Sequence, residues 1–274
     1  MKQLTCLTIA ACASFALALT ALGGQESMSS GKEMKQVAPA PPPECDFTWT
    51  GFYIGGNAGY GWGNADTSFD PLPDVPTFFN LEPTTLSPDP SGFIGGGQIG
   101  FNWQWNKWLV LGIESDFQGT DIEGSETDSP IIQSNGTPFP VADSFLAAHE
   151  RMQWFGTTRG RIGVAPWCRL LLYATGGVAY GNVDYSANTN FSNGFTFPTD
   201  FTKTKVGWTV GGGLEYAIGH HWTVKAEYLY YDLGDEDSTS NQRIFGVPQG
   251  PPFFVHYNFE TTGNIVRGGL NYKF

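Results

Sequence analysis

From residue 51 to residue 63, apolar and polar positions alternate. Phe52, Ile54, Ala58, Tyr60 and Trp62 hold one parity, and Tyr53, Gly55, Asn57 and Gly59 hold the other. A period of two is that of a β-strand, whose successive side chains point to opposite faces. The same division sets Leu109, Leu111, Ile113 and Phe117 against Glu114, Asp116 and Gln118. Further on it sets Trp208, Val210, Leu214 and Tyr216 against Thr209, Gly211 and Glu215. Eight such segments are predicted, opening near Thr50, Gly92, Trp108, His149, Arg169, Lys203, Trp222 and Tyr257 and separated by Gly, Pro, Asn and Asp clusters. Each has roughly the 9 to 11 residues that a tilted strand needs to cross a bilayer, or more.

The connections alternate in length. Asn106-Lys107, Pro166-Trp167 and Gly219-His220-His221 are tight, whereas residues 64–91, 120–148, 186–202 and 234–256 are long and polar. Short turns at one end and long loops at the other predict an all-β fold: an eight-stranded antiparallel transmembrane β-barrel with short periplasmic turns and long extracellular loops. The 9 tryptophans fall at the strand ends, where aromatic side chains mark membrane interfaces. Trp49, Trp103, Trp105, Trp108, Trp167 and Trp222 lie beside the short turns, and Trp62, Trp154 and Trp208 lie toward the long loops.

Composition changes this picture in three ways. Only 15% of the 274 residues are charged and the net charge is -12, which repels the phosphate backbone and excludes nucleic acid as a partner. Residues 1–23 read as an export signal: Met1-Lys2, then an Ala-rich apolar stretch, then small residues around Ala21-Leu22-Gly23. Residues 24–48 form a Pro-rich periplasmic lead-in, and residues 49–274 the barrel. No apolar run of about 18 residues follows the signal, so a helical membrane protein is excluded. Of the 4 cysteines, Cys6 and Cys12 leave with the signal; Cys45 and Cys168 remain as one disulfide or two free thiols.

If the apolar parity faces lipid, the other parity places Glu114, Asp116, Arg159, Arg161, Glu215, Lys225, Glu227 and Arg267 inside. Acids and bases are equal in number there, and counting along the strands puts them in one mid-bilayer layer. Buried ions must be paired or hydrated, so a lumenal salt-bridge plug is expected, with Glu114 and Arg159 as its leading pair. Inward Gly55, Gly59, Gly211 and Gly213 are expected to leave space, which keeps water pockets or a narrow ion path open. At the C-terminus Val266, Leu270, Tyr272 and Phe274 share the lipid-facing parity.

The stretch Trp49-Thr50-Gly51-Phe52-Tyr53-Ile54-Gly55-Gly56-Asn57-Ala58-Gly59-Tyr60-Gly61-Trp62-Gly63 and the ending Asn264-Ile265-Val266-Arg267-Gly268-Gly269-Leu270-Asn271-Tyr272-Lys273-Phe274 carry a resemblance. They resemble the small outer-membrane β-barrel family of Gram-negative bacteria: opacity-type and OmpA-type barrels, porin-family surface antigens and hemin-binding proteins. The resemblance implies an integral outer-membrane monomer exported by its signal, with lipid and lipopolysaccharide as neighbours and surface-exposed loops. It also implies that the barrel assembly machinery reads Val266, Leu270, Tyr272 and Phe274. Cys45 and Cys168 would both be periplasmic, and their pairing could tether the lead-in beneath the barrel.

A structural and surface-interaction role, with at most a narrow porin-like channel, is the expected function. The alternative is a hemin or small-ligand receptor, with His149 or His256 near iron and Phe78, Phe79, Phe139, Phe253 and Phe254 covering a porphyrin. A lipid-A-modifying enzyme would draw on His149, His256, Ser144, Asp143 and Glu150, a weaker signal. No catalytic, cofactor or metal residues are assigned and no cofactor is expected. His220-His221 reads as a turn, without the four-ligand spacing of a structural zinc site.

Overall fold

The computed structural model describes residues 46–71, 81–82, 85–130, 132–133, 144–190, 194–249 and 254–274. The expected export signal, most of the lead-in and Cys45 lie outside them. Eight long strands form: β1 Gly51–Asn64, β2 Ser91–Gln104, β3 Leu109–Asp128, β4 Phe145–Trp167, β5 Leu170–Asn190, β6 Phe195–Ala217, β7 Trp222–Asn241 and β8 Phe254–Lys273. Each pairs antiparallel with the next, and β8 pairs back to β1 from Tyr53↔Lys273 to Asn64↔Thr262. The sheet therefore closes into a ring, which removes the exposed edges an open sheet would carry.

Strand pairing runs well into three of the segments expected as long loops. β3 continues to Asp128, β5 ends at Asn190 and β6 resumes at Phe195, while β7 reaches Asn241. The physical reason is a change of solvent along each strand. In the first band, between the short turns and Trp154 and Trp208, apolar side chains such as Phe52, Ile113, Val210 and Leu214 point outward. Beyond it the sense reverses: Ile122, Leu146, Met152, Val183, Tyr185, Phe197, Leu233, Tyr257 and Phe259 pack inside, while Asp121, Glu123, Arg151, Asp235, Asp237 and Glu260 face out. An apolar interior holds these rows together, so the polar residues that resemble loop sequence are one face of a continuing strand.

Apart from a register shift between Val164 and Trp167 beside a short turn, irregularities in the ladder gather at the boundary between the bands. Registers shift between Gly119 and Ile122, between Met152 and Trp154, and between Asp232 and Asp235. A bulge changes which side chain a strand turns inward without ending it. On β7 it moves the inward set from odd positions up to Leu233 to even positions through Ser240. Above this level, residues Thr67–Pro71 pair with the outer half of β8, and Arg243–Ile244 pairs with both β6 and Val247–Pro248.

At the opposite end Trp49 departs from its expected position at an interface. It is 1% exposed and lies inside the ring with Phe47, Val110, Ala165, Leu171, Tyr173 and Ala217. Its backbone N–H donates to Gln104 Oε1 at 2.9 Å, and its indole meets Phe47 edge-on. The chain before β1 has an apolar cavity mouth to fill, and an indole buries more area there than at the rim.

Leu146→Ala, inside the outer band, is expected to cost about 2–5 kcal/mol and Ile113→Ala, on the outward face, far less. Denaturant unfolding of the refolded protein measures both, and equal losses would contradict the inward placement of Leu146.

Candidate functional site

The eight inward charges expected from the sequence meet in one layer. Glu114 and Asp116 stand on β3, Arg159 and Arg161 on β4, Glu215 on β6, Lys225 and Glu227 on β7, and Arg267 on β8. The registers Glu114↔Arg159 and Glu227↔Arg267 set opposite charges directly across neighbouring strands. Arg159 Nη2 lies 2.7 Å from Glu114 Oε1 and 2.9 Å from Asp116 Oδ2, and its Nη1 lies 3.0 Å from Glu227 Oε1. Arg267 Nη2 reaches Asp116 at 2.7 Å and Glu227 at 2.6 Å. Lys225 Nζ lies 2.7 Å from Glu114, and Arg161 joins Glu215 at 2.8 Å and Glu114 at 3.4 Å. Four carboxylates against four cations leave the layer without net charge.

Neutral groups that sequence reasoning did not single out complete the network. Tyr53 Oη donates to Glu114 at 2.7 Å and accepts from Arg161 at 2.6 Å. Tyr173 Oη donates to Glu227 at 3.0 Å, and its ring lies 3.9 Å beneath the Arg161 guanidinium. Thr157 donates to Asp116 through both backbone and hydroxyl, and Thr223 and Asn271 donate to Glu215. From Asn271 the chain of contacts passes to Gln98 and Asn57. Their signal was present: Tyr53, Asn57, Gln98 and Tyr173 all lie on the inward parity. The inward glycines do not leave open space as expected. A Cβ at Gly59 would come within 2.6 Å of Arg267, and one at Gly55, Gly211 or Gly213 would strike the neighbouring strand. Their missing side chains let Arg267, Asn271, Leu229 and Tyr173 lie across the lumen.

Above the ions sits the apolar interior of the outer band; below them sit Phe47 and Trp49. Asp46 beside them forms an ion pair with Arg169, whose hydrogen bond holds the Asp46 carboxyl below its ordinary value. Cys168, next to Arg169, is disulfide-bonded. On the outside, Trp62, Trp103, Trp105, Trp108, Trp167, Trp208 and Trp222 are exposed, and Trp154 is half-buried between Phe117 and Tyr180. Val266 and Leu270 also point outward, Tyr272 packs against Trp222 and Phe274, and Phe274 is exposed.

Residues 34–274 match the model of the outer membrane protein beta-barrel domain. This chain belongs to the outer-membrane β-barrel family. The 31 kDa outer-membrane immunogenic protein of Brucella melitensis is 39% identical over 240 residues, 86% of this chain and 88% of that one. A 22 kDa outer membrane protein of Rhizobium leguminosarum is 30% identical over 208 residues, covering 74% and 71%. Among solved structures, OprG of Pseudomonas aeruginosa aligns with 84% of this chain and 99% of its own at 12% identity and a TM-score of 0.47. The outer membrane protease OmpT of Escherichia coli aligns with 84% and 98% at 10% identity and a TM-score of 0.43.

The protein is thus an integral outer-membrane barrel, and its outward apolar band faces lipid. Among the described residues, the candidate ligand and catalytic side chains do not converge. His149 lies on the outward face of β4. His256, on β8, lies 3.3 Å from Asp237 and 3.2 Å from the Thr239 hydroxyl. Ser144 and Glu150 are buried; Asp143, Phe78, Phe79, Phe139 and Phe253 lie outside the described residues. His221 Nδ1 meets the Lys273 carbonyl at 2.9 Å in its turn. Among the described residues, no three His, Cys, Asp or Glu side chains cluster as metal ligands.

Arg159→Ala removes one cationic partner from each of three lumenal carboxylates and is expected to cost about 3–5 kcal/mol, read by unfolding in lipid; an unchanged midpoint would contradict the network's role. The lowered Asp46 pKa sets a second test. Its docking contribution is fully present above the ordinary value of 3.8 and is lost as pH falls through the lowered one. Proteolysis of the lead-in should accelerate only in strong acid, and Asp46→Asn should remove that pH dependence.

Proposed function

We propose that this outer-membrane barrel is a sealed surface scaffold with a structural and interaction role, neither an open pore nor an enzyme. The observation that carries this reading is the ion layer: the side chains of Glu114, Asp116, Arg159, Lys225, Glu227 and Arg267 are 0% exposed. An eight-stranded ring has an interior only wide enough for side chains, and here they occupy it. A hydrated solute would have to separate these pairs, and the apolar layers on either side would have to part as well.

The short-turn end, with Phe47 and Trp49 packed inside it, faces the periplasm, and the outer band projects from the cell. In that orientation the exposed tryptophans mark the two interfaces, lipopolysaccharide surrounds the outward band, and the terminal strand with Val266, Leu270, Tyr272 and Phe274 is presented to the assembly machinery. The protein acts as a monomer. Cys168 pairs with Cys45, which precedes Asp46 in sequence, so covalent bond and ion pair pin the lead-in together. The names of the Brucella relatives as immunogenic proteins support a surface-exposed role.

Single-channel recording of refolded residues 25–274 in a planar bilayer tests the seal, with a heat-dependent gel shift reporting closure of the ring. A folded, silent barrel is expected. Stable, reproducible conductance steps would make the protein a porin and overturn this reading.

A further inference from the structure

A short hairpin at the outer end of β6 carries a strained and exposed aromatic. Arg243 pairs with Pro248 and Ile244 with Val247, leaving Phe245 and Gly246 as a two-residue turn. Their φ angles are 47° and 81°. A turn with both central residues at positive φ ordinarily takes Asn-Gly or Gly-Gly, and a bulky residue there is an outlier. Phe245 is the one such non-glycine residue among those described. Strain of this kind persists where the surroundings enforce it and gathers at binding surfaces.

The surroundings here hold the ring up without hiding it. The hairpin is anchored to the start of β6 through Phe195↔Ile244 and Thr196↔Arg243. The Phe245 N–H donates to the Gly194 carbonyl at 2.8 Å, and a Cβ at Gly194 would come within 2.6 Å of the ring. Phe245 nevertheless remains 82% exposed, with Val247 beside it at 60%. Water gives no reason to mount an aromatic in this way.

Charge indicates the partner. Residues 241–258 contain no Asp or Glu but include Arg243, in a chain of net charge -12. The wall below carries Asp235, Asp237 and Glu260 outward and repels any anionic surface. The tip does not repel it, and it offers an apolar pair to enter the headgroup boundary with an arginine positioned to reach phosphate. We propose that the Arg243–Pro248 hairpin docks on the anionic phospholipid surface of an apposed membrane, with Phe245 and Val247 inserted. This rests on the orientation given above, in which the outer band projects from the cell.

Phe245→Cys on intact cells, probed with a membrane-impermeant maleimide, tests the orientation alone. Labelling is expected, and its absence would overturn both readings. Flotation of the nanodisc-embedded full barrel with phosphatidylcholine vesicles, with and without phosphatidylglycerol, tests the docking. The wild type should float with the anionic vesicles, and Arg243→Gln should weaken that association. Phe245→Asn, which suits the turn's backbone, should keep or raise the melting temperature yet lose association roughly tenfold or more. Flotation of Phe245→Asn equal to wild type would overturn the proposal. A labelled residue 245 with no wild-type flotation on either vesicle would also overturn it, and would point to a protein pocket as the partner.

Discussion

Ions held away from water must find their counter-charges, and this barrel is arranged around that requirement. Glu114 is touched by Arg159, Arg161, Lys225 and Tyr53, groups drawn from three other strands. No neighbouring pair of strands satisfies it alone; only the closed ring brings Lys225 and Arg161 to the same carboxylate. The network therefore favours closure at one register, since a slip of one residue would turn every inward charge to the lipid side. The desolvation cost is high and offsets much of the Coulombic gain, so the network's contribution lies as much in specifying the ring as in stabilising it.

A second constraint follows from where the solvent changes. In the lipid-facing band the ring is apolar outside and charged inside, and above Trp208 it is polar outside and apolar inside. The strands β3 to β8 perform this exchange while keeping their hydrogen bonds, and three bulges absorb the adjustment. The outer band consequently behaves as the continuation of the barrel with its own packed interior. Elements mounted on it, such as the Arg243–Pro248 hairpin, are presented on a firm base.

Much of this was legible in the sequence. Strict alternation located the eight strands and put all eight charges of the mid-bilayer layer on the inward parity, because lipid permits no other arrangement of a charged strand face. The outer band was harder to see. There the alternation of Tyr185 and Ala187 with Asp184 and Ser186 has its sense reversed, and a polar outward face reads as loop when the expected solvent is lipid. Trp49 was misplaced for a related reason: strand-end position says that a tryptophan is near an interface, but not on which side of the wall it lies. Tyr53 and Tyr173 share the inward parity, yet only the crossing of opposite walls brings them to Glu114 and Glu227.

The central claim is that the lumenal charges act as one coupled unit. A double-mutant cycle of Glu114→Gln and Arg159→Met, followed by unfolding in lipid, measures this most directly. The account predicts that the losses are strongly non-additive, with a coupling of about 0.5–3 kcal/mol, because each single change leaves the remaining charges of the layer unbalanced and the double change restores the balance. Losses that simply add would contradict it.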